Sequence, residues 1–435
     1  MKVVRAIHWR RIRHSPLVHN AVSLSGMQLA GYIAPLVTLP YLARILGPSH
    51  WGSVALAQAF GLYTTIVVEF GFALSGTREI ARHRGDPEKI GEIFIGVIGA
   101  KTILSLLCLL TASAVVAWVP QFSGNRVAMF AGALAGIAQG FNVGWFYLGL
   151  ERMRVVSIVD ISSKALFATS VFIFIHSPKD DWLVLCLQCF WYSASALFLL
   201  ANVYREFPIC KLTIRNATET LKAATAIFLY KGTITLYTTA NTLVLGLFTA
   251  PVSVAYYAAA EKINNVLVNT TIPITQTIYP RMNHLMVHDP RQAEQLGRYT
   301  LLFSACLGCV LSLASYVCAP FGVRLFLGKG YETVVPVLRI LSLSLPLVIC
   351  NLTLGYQFML PRGLDKQLNV ITVMAGIVNI TALAILVPRY AHFGVAWTVI
   401  LTESLILIAL SATVLRHAPN FISSGPDAVK VEIAG

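Results

Sequence analysis

Charge is the first thing this chain is short of. Of its 435 residues only 12% are Asp, Glu, Lys or Arg, about half of what covers a soluble domain. Long polar segments are missing too. The longest stretch between apolar runs, residues 205–222, is too short to fold as a separate domain. Clusters with metal-ligand spacing are also missing, so no metal and no cofactor is expected. The eight cysteines do not form a disulfide framework, because seven of them lie inside apolar runs. Cys186/Cys189 and Cys306/Cys309 read there as small, polarizable core residues. A soluble globule, a disordered chain and a secreted disulfide scaffold are thereby excluded. With 56% hydrophobic residues, what remains is an all-α polytopic membrane protein.

Crossing the hydrocarbon core takes about 20 mostly apolar residues in a helix. Twelve stretches qualify: 20–43, 52–75, 93–119, 127–148, 155–176, 182–204, 223–248, 254–280, 299–321, 332–360, 367–388 and 391–415. Basic residues orient them. With the N-terminus inside, the inner segments hold 22 of the 33 Lys and Arg and the outer segments six. That excess predicts cytoplasmic N- and C-termini. Residues 1–19, with Lys2, Arg5, Arg10, Arg11 and Arg13, read as a basic arm on the membrane surface, and 416–435 as a cytoplasmic tail. The net charge of +14 then reflects topology and affinity for membrane lipids. It is not gathered on one face with interleaved aromatics, so no nucleic-acid partner is expected.

The chain also repeats itself. Arg78, Asp86 and Pro87 recur 203 residues later as Arg281, Asp289 and Pro290. Gly149-Leu150-Glu151-Arg152 is answered by Gly363-Leu364-Asp365-Lys366. Both matches fall at equivalent loops of a six-plus-six plan. Six is even, so the repeat is parallel, about an axis along the membrane normal. It predicts an N-lobe of helices 1–6 (20–204), a linker (205–222) and a C-lobe of helices 7–12 (223–415), with a substrate cavity between the lobes.

Ionisable groups inside spans are costly and are functional candidates by default. They are Glu69, Lys101, Asp160, Lys164, Lys231, Glu261, Lys262, Arg339 and Glu403. Lys101, Lys164 and Lys231 each sit about nine residues from the cytoplasmic entry of their helices, roughly 13 Å. Three ammonium groups at one depth would attract an anionic group such as a diphosphate. Alternatively, each lysine snorkels to the inner headgroups or pairs locally, and Asp160 and Lys164, spaced i, i+4, are placed for an ion pair. Glu403, Glu261 and Asp160 are candidates for ion coupling, or for hydrogen bonds that only fix packing. Gly132, Gly136, Gly140 and Gly144 form a stripe suited to close helix packing. Pro35, Pro40, Pro273, Pro336 and Pro346 are expected to kink their helices.

Four segments, in order, resemble one family. Pro35, Arg44, Leu46, Gly47, Trp51 and Gly52 match the opening of the Wzx-type polysaccharide repeat-unit (O-antigen) flippases, a branch of the multidrug/oligosaccharidyl-lipid/polysaccharide exporter superfamily. Trp145 to Met153 is similar to their aromatic segment, Val254 to Ile263 to the start of their eighth helix, and Leu338-Arg339-Ile340-Leu341 to a later motif. The resemblance implies a V-shaped exporter fold of two six-helix lobes in the bacterial inner membrane. It implies an ion-gradient-coupled flippase carrying an undecaprenyl-diphosphate-linked oligosaccharide from the cytoplasmic to the periplasmic leaflet for O-antigen or exopolysaccharide assembly. A polysaccharide polymerase and a chain-length regulator are the partners expected beside it. Lys231, Lys101, Lys164, Lys262 and Arg339 are then the candidate diphosphate contacts, and Asn142, Asn241 and Tyr237 the candidate sugar contacts. In this sequence Glu261 precedes Lys262, so the lysine's charge stands to be neutralised. A drug or metabolite antiporter on the same fold is the alternative, although its cavity should be more acidic. An enzyme, such as a membrane glycosyltransferase or polymerase, would need clustered carboxylates, and Asp180-Asp181 is the only adjacent pair in a loop.

Overall fold

The computed structural model describes residues 16–208 and 211–417. They are helical almost throughout, with no strand among the described residues. Hydrocarbon offers the backbone no hydrogen-bond partner, so apolar runs of this length must bond to themselves as helices. In chain order the helices are α1 (Pro16–Glu69), α2 (Phe72–Arg82), α3 (Pro87–Trp118), α4 (Arg126–Gly140), α5 (Gly144–Gly149), α6 (Met153–Phe174) and α7 (Asp181–Glu206). They continue with α8 (Ile214–Phe248), α9 (Pro251–Asn269), α10 (Ile272–His288), α11 (Pro290–Phe326), α12 (Val334–Ser342), α13 (Ser344–Thr353) and α14 (Asp365–His417). Among the described residues, eight helical runs are long and apolar enough to cross a membrane. Two of these, Ser23–Arg82 and Asp365–His417, have the length for two crossings each.

All twelve expected stretches fall on helix, but the interruptions differ from the loops anticipated. Residues 44–51 are no loop: one residue, Gly47 at φ 68°, bends α1 between its two halves. Only glycine adopts that conformation without a Cβ clash. Ala391, at φ 49°, similarly breaks α14 where a short outer connection was expected. The 52–75 stretch ends early, because Phe70 (φ 42°) and Gly71 (φ 76°) separate α1 from α2. The 254–280 stretch divides at Thr270-Thr271, and Pro273 lies in the first turn of α10. It therefore starts a helix, where its missing N–H costs nothing, instead of kinking one.

The repeated Asp-Pro pairs do the same local work. Asp86 accepts a hydrogen bond from the Lys89 backbone N–H at 3.0 Å, and Asp289 accepts one from Gln292 at 3.0 Å. Each aspartate caps a helix whose first residue is the proline.

The described chain gathers into two compact units. One comprises residues up to Ala258 together with Arg324–Tyr331; the other comprises Ala259–Val323 and the residues from Glu332 on. The long segment of the first unit thus runs on past residues 205–222 as far as Ala258. α8 and the start of α9 stay with the first unit because their backbones are closely packed on it. A Cβ on Gly246 would come within 2.2 Å of the Leu56 side chain, and one on Gly52 within 1.8 Å of the Pro251 carbonyl.

Within the first unit, the glycine stripe of α4 lies against the second half of α1. A Cβ on Gly136 would fall 1.9 Å from the Gly61 carbonyl. Thr64 and Thr65 donate across this contact to the carbonyls of Ala133 (3.0 Å) and Gly136 (2.8 Å). Small residues let backbones approach closely, and hydroxyls then bond between helices. Next to it lies an aromatic core of Phe94, Trp145, Phe146 and Tyr147, all buried. Of the expected arm (1–19), residues 1–15 lie outside the described residues and 16–19 already belong to α1; of the expected tail (416–435), 416–417 end α14 and 418–435 lie outside, as do Cys210 and the side chains of Lys231 and Tyr237.

Candidate functional site

α4 stops at Gly140 and α5 resumes at Gly144, leaving residues 141–143 unwound inside a membrane-depth segment. A helix end leaves backbone carbonyls without partners, and hydrocarbon cannot satisfy them. Lys101 on α3 supplies the donors. Its ammonium reaches the Gly140 carbonyl at 2.6 Å and the Asn142 carbonyl at 3.1 Å, and the residue is 0% exposed. Glu69, where α1 itself stops, is the nearby counter-charge. A cation at a helix C-terminus also meets the negative end of the helix dipole.

The structure therefore gives Lys101 a different job from the one its depth suggested. It closes a broken helix and faces no open space for a diphosphate. Asn142 lies in the same place: its side-chain oxygen accepts from the Gly144 N–H at 2.7 Å and closes the turn.

Lys164 is paired with Asp160 at 2.6 Å on α6 and also reaches the Met27 carbonyl on α1 at 3.4 Å. The local ion pair is the alternative that the sequence left open. The Lys231 side chain lies outside those described, so of the expected three-lysine tier only Lys101 and Lys164 have described partners, a pair of carbonyls and Asp160 respectively. Asn241 on α8 donates to the Tyr257 hydroxyl at 3.1 Å, within the segment matched to the family's eighth helix. Both residues are buried, and the Asn241 carbonyl oxygen has no partner.

The second unit holds the remaining candidates. Asn351 on α13 donates to the Glu403 carboxylate at 2.8 Å and to the Glu403 backbone carbonyl at 3.0 Å. Nearby in sequence, Ser304 and Thr353 join hydroxyls at 2.8 Å, and Asn379 donates to Thr402 at 3.2 Å. Gln357 is wholly buried in a π-helical turn, Leu354–Met359, with neither of its amide atoms hydrogen-bonded. The side-chain oxygens of Asn351 and Asn379 are also without partners. Buried polar atoms are nearly always paired, and a π turn often marks a functional position. These three amides are neither ionisable nor among the candidate sugar contacts Asn142, Asn241 and Tyr237. Asn351, Gln357 and Asn379 standing in apolar runs are the signal that would have found them.

Lys262 on α9 is half-buried beside Glu261, its counter-charge. Arg339 donates to the Tyr316 carbonyl at 3.3 Å and lies 4.9 Å from that tyrosine's ring centre, so its guanidinium is held on α11. At the basic-loop end of the first unit, the Trp145–Met153 segment forms a knot. Arg84 bonds the Gly149 carbonyl (2.7 Å) and the Glu151 carboxylate (2.9 Å), while Asn20 donates to the Glu151 carbonyl (2.9 Å). Arg152 pairs with Glu206.

Two curated relatives share this chain's length. Each is named "Putative O-antigen transporter". The one from Escherichia coli (strain K12) is 29% identical over 392 residues, covering 90% of this chain and 94% of the relative. The one from Shigella dysenteriae is 28% identical over 399 residues, covering 89% and 98%. Among solved structures, "Lipid II flippase MurJ, inward closed conformation" has the same fold, with a TM-score of 0.68 over 91% of this chain and 87% of that one at 12% identity. These are transporters, not enzymes. The polysaccharide biosynthesis protein family matches residues 17–286, and the chain belongs to that family.

Proposed function

We propose that the protein is a flippase that moves undecaprenyl-diphosphate-linked oligosaccharide repeat units from the cytoplasmic to the periplasmic leaflet of the bacterial inner membrane. It does so for O-antigen or exopolysaccharide assembly, with twelve spans and both termini in the cytoplasm. The observation that carries this is the likeness over about nine-tenths of the chain to the two curated relatives. The flippase fold and the intramembrane charges support it.

A diphosphate headgroup cannot cross hydrocarbon unaided and needs cations along its way. Lys231 is the leading receptor for it. Lys262, Arg339 and Lys164 contribute once their present partners exchange for phosphate oxygens. Lys101 holds the first unit's helix break and so acts on the cargo only indirectly. Asn241 and Tyr237 are the remaining sugar contacts. Movement is coupled to a proton or sodium gradient through Glu403, whose carboxylate is bonded to a neutral amide and not locked to a cation. Glu261 and Asp160, each beside a lysine, serve as its partners in charge balance. A polymerase and a chain-length regulator act next on the flipped product.

The test is complementation of a strain lacking its repeat-unit flippase, scored by surface polysaccharide. The wild-type chain restores polymer, and Lys231→Ala abolishes it at equal expression. Restored polymer from Lys231→Ala would remove the cationic receptor, and failure of the wild type would remove the flippase.

A further inference from the structure

The first unit has a second polar site, at the end opposite its basic loops. There the α1 bend, the α3–α4 turn, the α6–α7 turn and the start of α9 surround a pocket of about 460 Å³. Asp181 organises it. One of its carboxylate oxygens accepts from His50 at 2.8 Å and from Asn125 at 3.1 Å; the other accepts from the Trp182 N–H at 2.7 Å. Only 6% of Asp181 is exposed, so its direction is fixed by these donors. Three separate segments thus present a carboxylate, an imidazole, two amides (Asn125 and Gln121) and two hydroxyls (Ser49 and Ser53) around one space, and Pro251 closes it from a fourth. The floor is apolar, with Leu56, Phe122 and Met129 nearly enclosed.

We infer that this pocket is a saccharide subsite, which takes one or two neutral sugar rings of the transported oligosaccharide at the outer end of the protein. The chemistry selects the class. A sugar ring offers a rim of hydroxyls, which both donate and accept, and a flat face of C–H groups. That matches carboxylate, amide and hydroxyl walls over an apolar floor. A phosphate would want gathered cations, and here the pocket holds one lysine, Lys179, together with the Asp181 carboxylate that His50 already meets at 2.8 Å. An acyl chain would want walls without amides. The volume lies within the range of small-molecule sites. The inference rests on the flippase reading for the identity of the cargo and for which end faces outward.

The experiment uses the full chain in nanodiscs and, as probe, the soluble repeat-unit oligosaccharide released by mild acid from the host's lipid-linked precursor. Binding is followed by calorimetry and saturation-transfer NMR. Gly124→Trp fills the pocket from a position where an added Cβ meets nothing within 4 Å, so the backbone tolerates it. Saturable binding to the wild type, weakened at least about tenfold by Gly124→Trp, is expected. Gln121→Ala, on the exposed rim, trims the same site without threatening the fold, and about a threefold loss is expected. No saturable binding to the wild type, or equal binding by both variants, overturns the subsite. Competition by inorganic phosphate overturns its chemical class. Complementation by the wild type reports on the flippase reading separately, so a failed subsite with restored polymer leaves that reading standing.

Discussion

The two units treat a buried charge in opposite ways. In the first, the Lys101 ammonium is fully enclosed and donates to two backbone carbonyls at a break between helices. In the second, the Glu403 carboxylate meets a side-chain amide, Asn351, whose own oxygen is left without a partner. A backbone carbonyl at a helix end cannot move away or change its protonation, so the lysine is bound into the architecture. An amide can rotate, and a carboxyl can gain or lose a proton while keeping one hydrogen bond. Two charges within apolar helices thus have partners of different permanence, and on the proposed reading it is Glu403, with the exchangeable partner, that works in transport.

Four substitutions break or sharpen this contrast. Lys101→Met strands both carbonyls and should cost about 3–5 kcal/mol, read as loss of folded yield and a large drop in melting temperature in detergent. If Lys101→Met melts like the wild type, the ammonium is not structural. Gly136→Ala forces a methyl towards the Gly61 carbonyl and should cost about 1–3 kcal/mol in the same assay. An unchanged melting temperature there would mean that the α1–α4 contact gives way freely. Glu403→Gln keeps the shape and a hydrogen bond to Asn351, so stability should change by less than about 1 kcal/mol while transport falls at least about tenfold. A folding defect of the size seen with Lys101→Met would place Glu403 in the structural class. The double replacement Asp160→Asn with Lys164→Met should be the mildest, within about 0.5 kcal/mol, because both members of the i, i+4 pair (18% and 26% exposed) lose their charge together and neither is left unpaired.

Much of this was legible before any coordinates. The apolar runs fixed helices because nothing else satisfies a backbone in lipid, and the four-residue glycine spacing marked the close contact of α4 with α1. The Asp-Pro repeats marked equivalent loops, but not that each pair starts a helix at its proline, well before the apolar runs at 93 and 299. Other features depend on contacts that no local pattern encodes. Ala391 takes a positive φ though it is not glycine, so the break it makes carries no composition signal, and at Phe70 only the following Gly71 marks the break. The run of the first unit as far as Ala258 follows from how α8 packs. Lys101 showed its depth in the sequence but not its partners, because those are backbone carbonyls exposed only once α4 breaks at Gly140. The pocket around Asp181 was hidden for the same reason: its four segments are far apart in the chain, and in the sequence Asp180-Asp181 is only an isolated pair of carboxylates.

The most direct test is transfer of an undecaprenyl-diphosphate-linked oligosaccharide across proteoliposome bilayers by the purified chain under an imposed ion gradient. The account predicts that the wild type delivers the sugar headgroup to the far leaflet, while equally folded Glu403→Gln protein does not. Equal delivery by the two proteins, or none by the wild type, would contradict it.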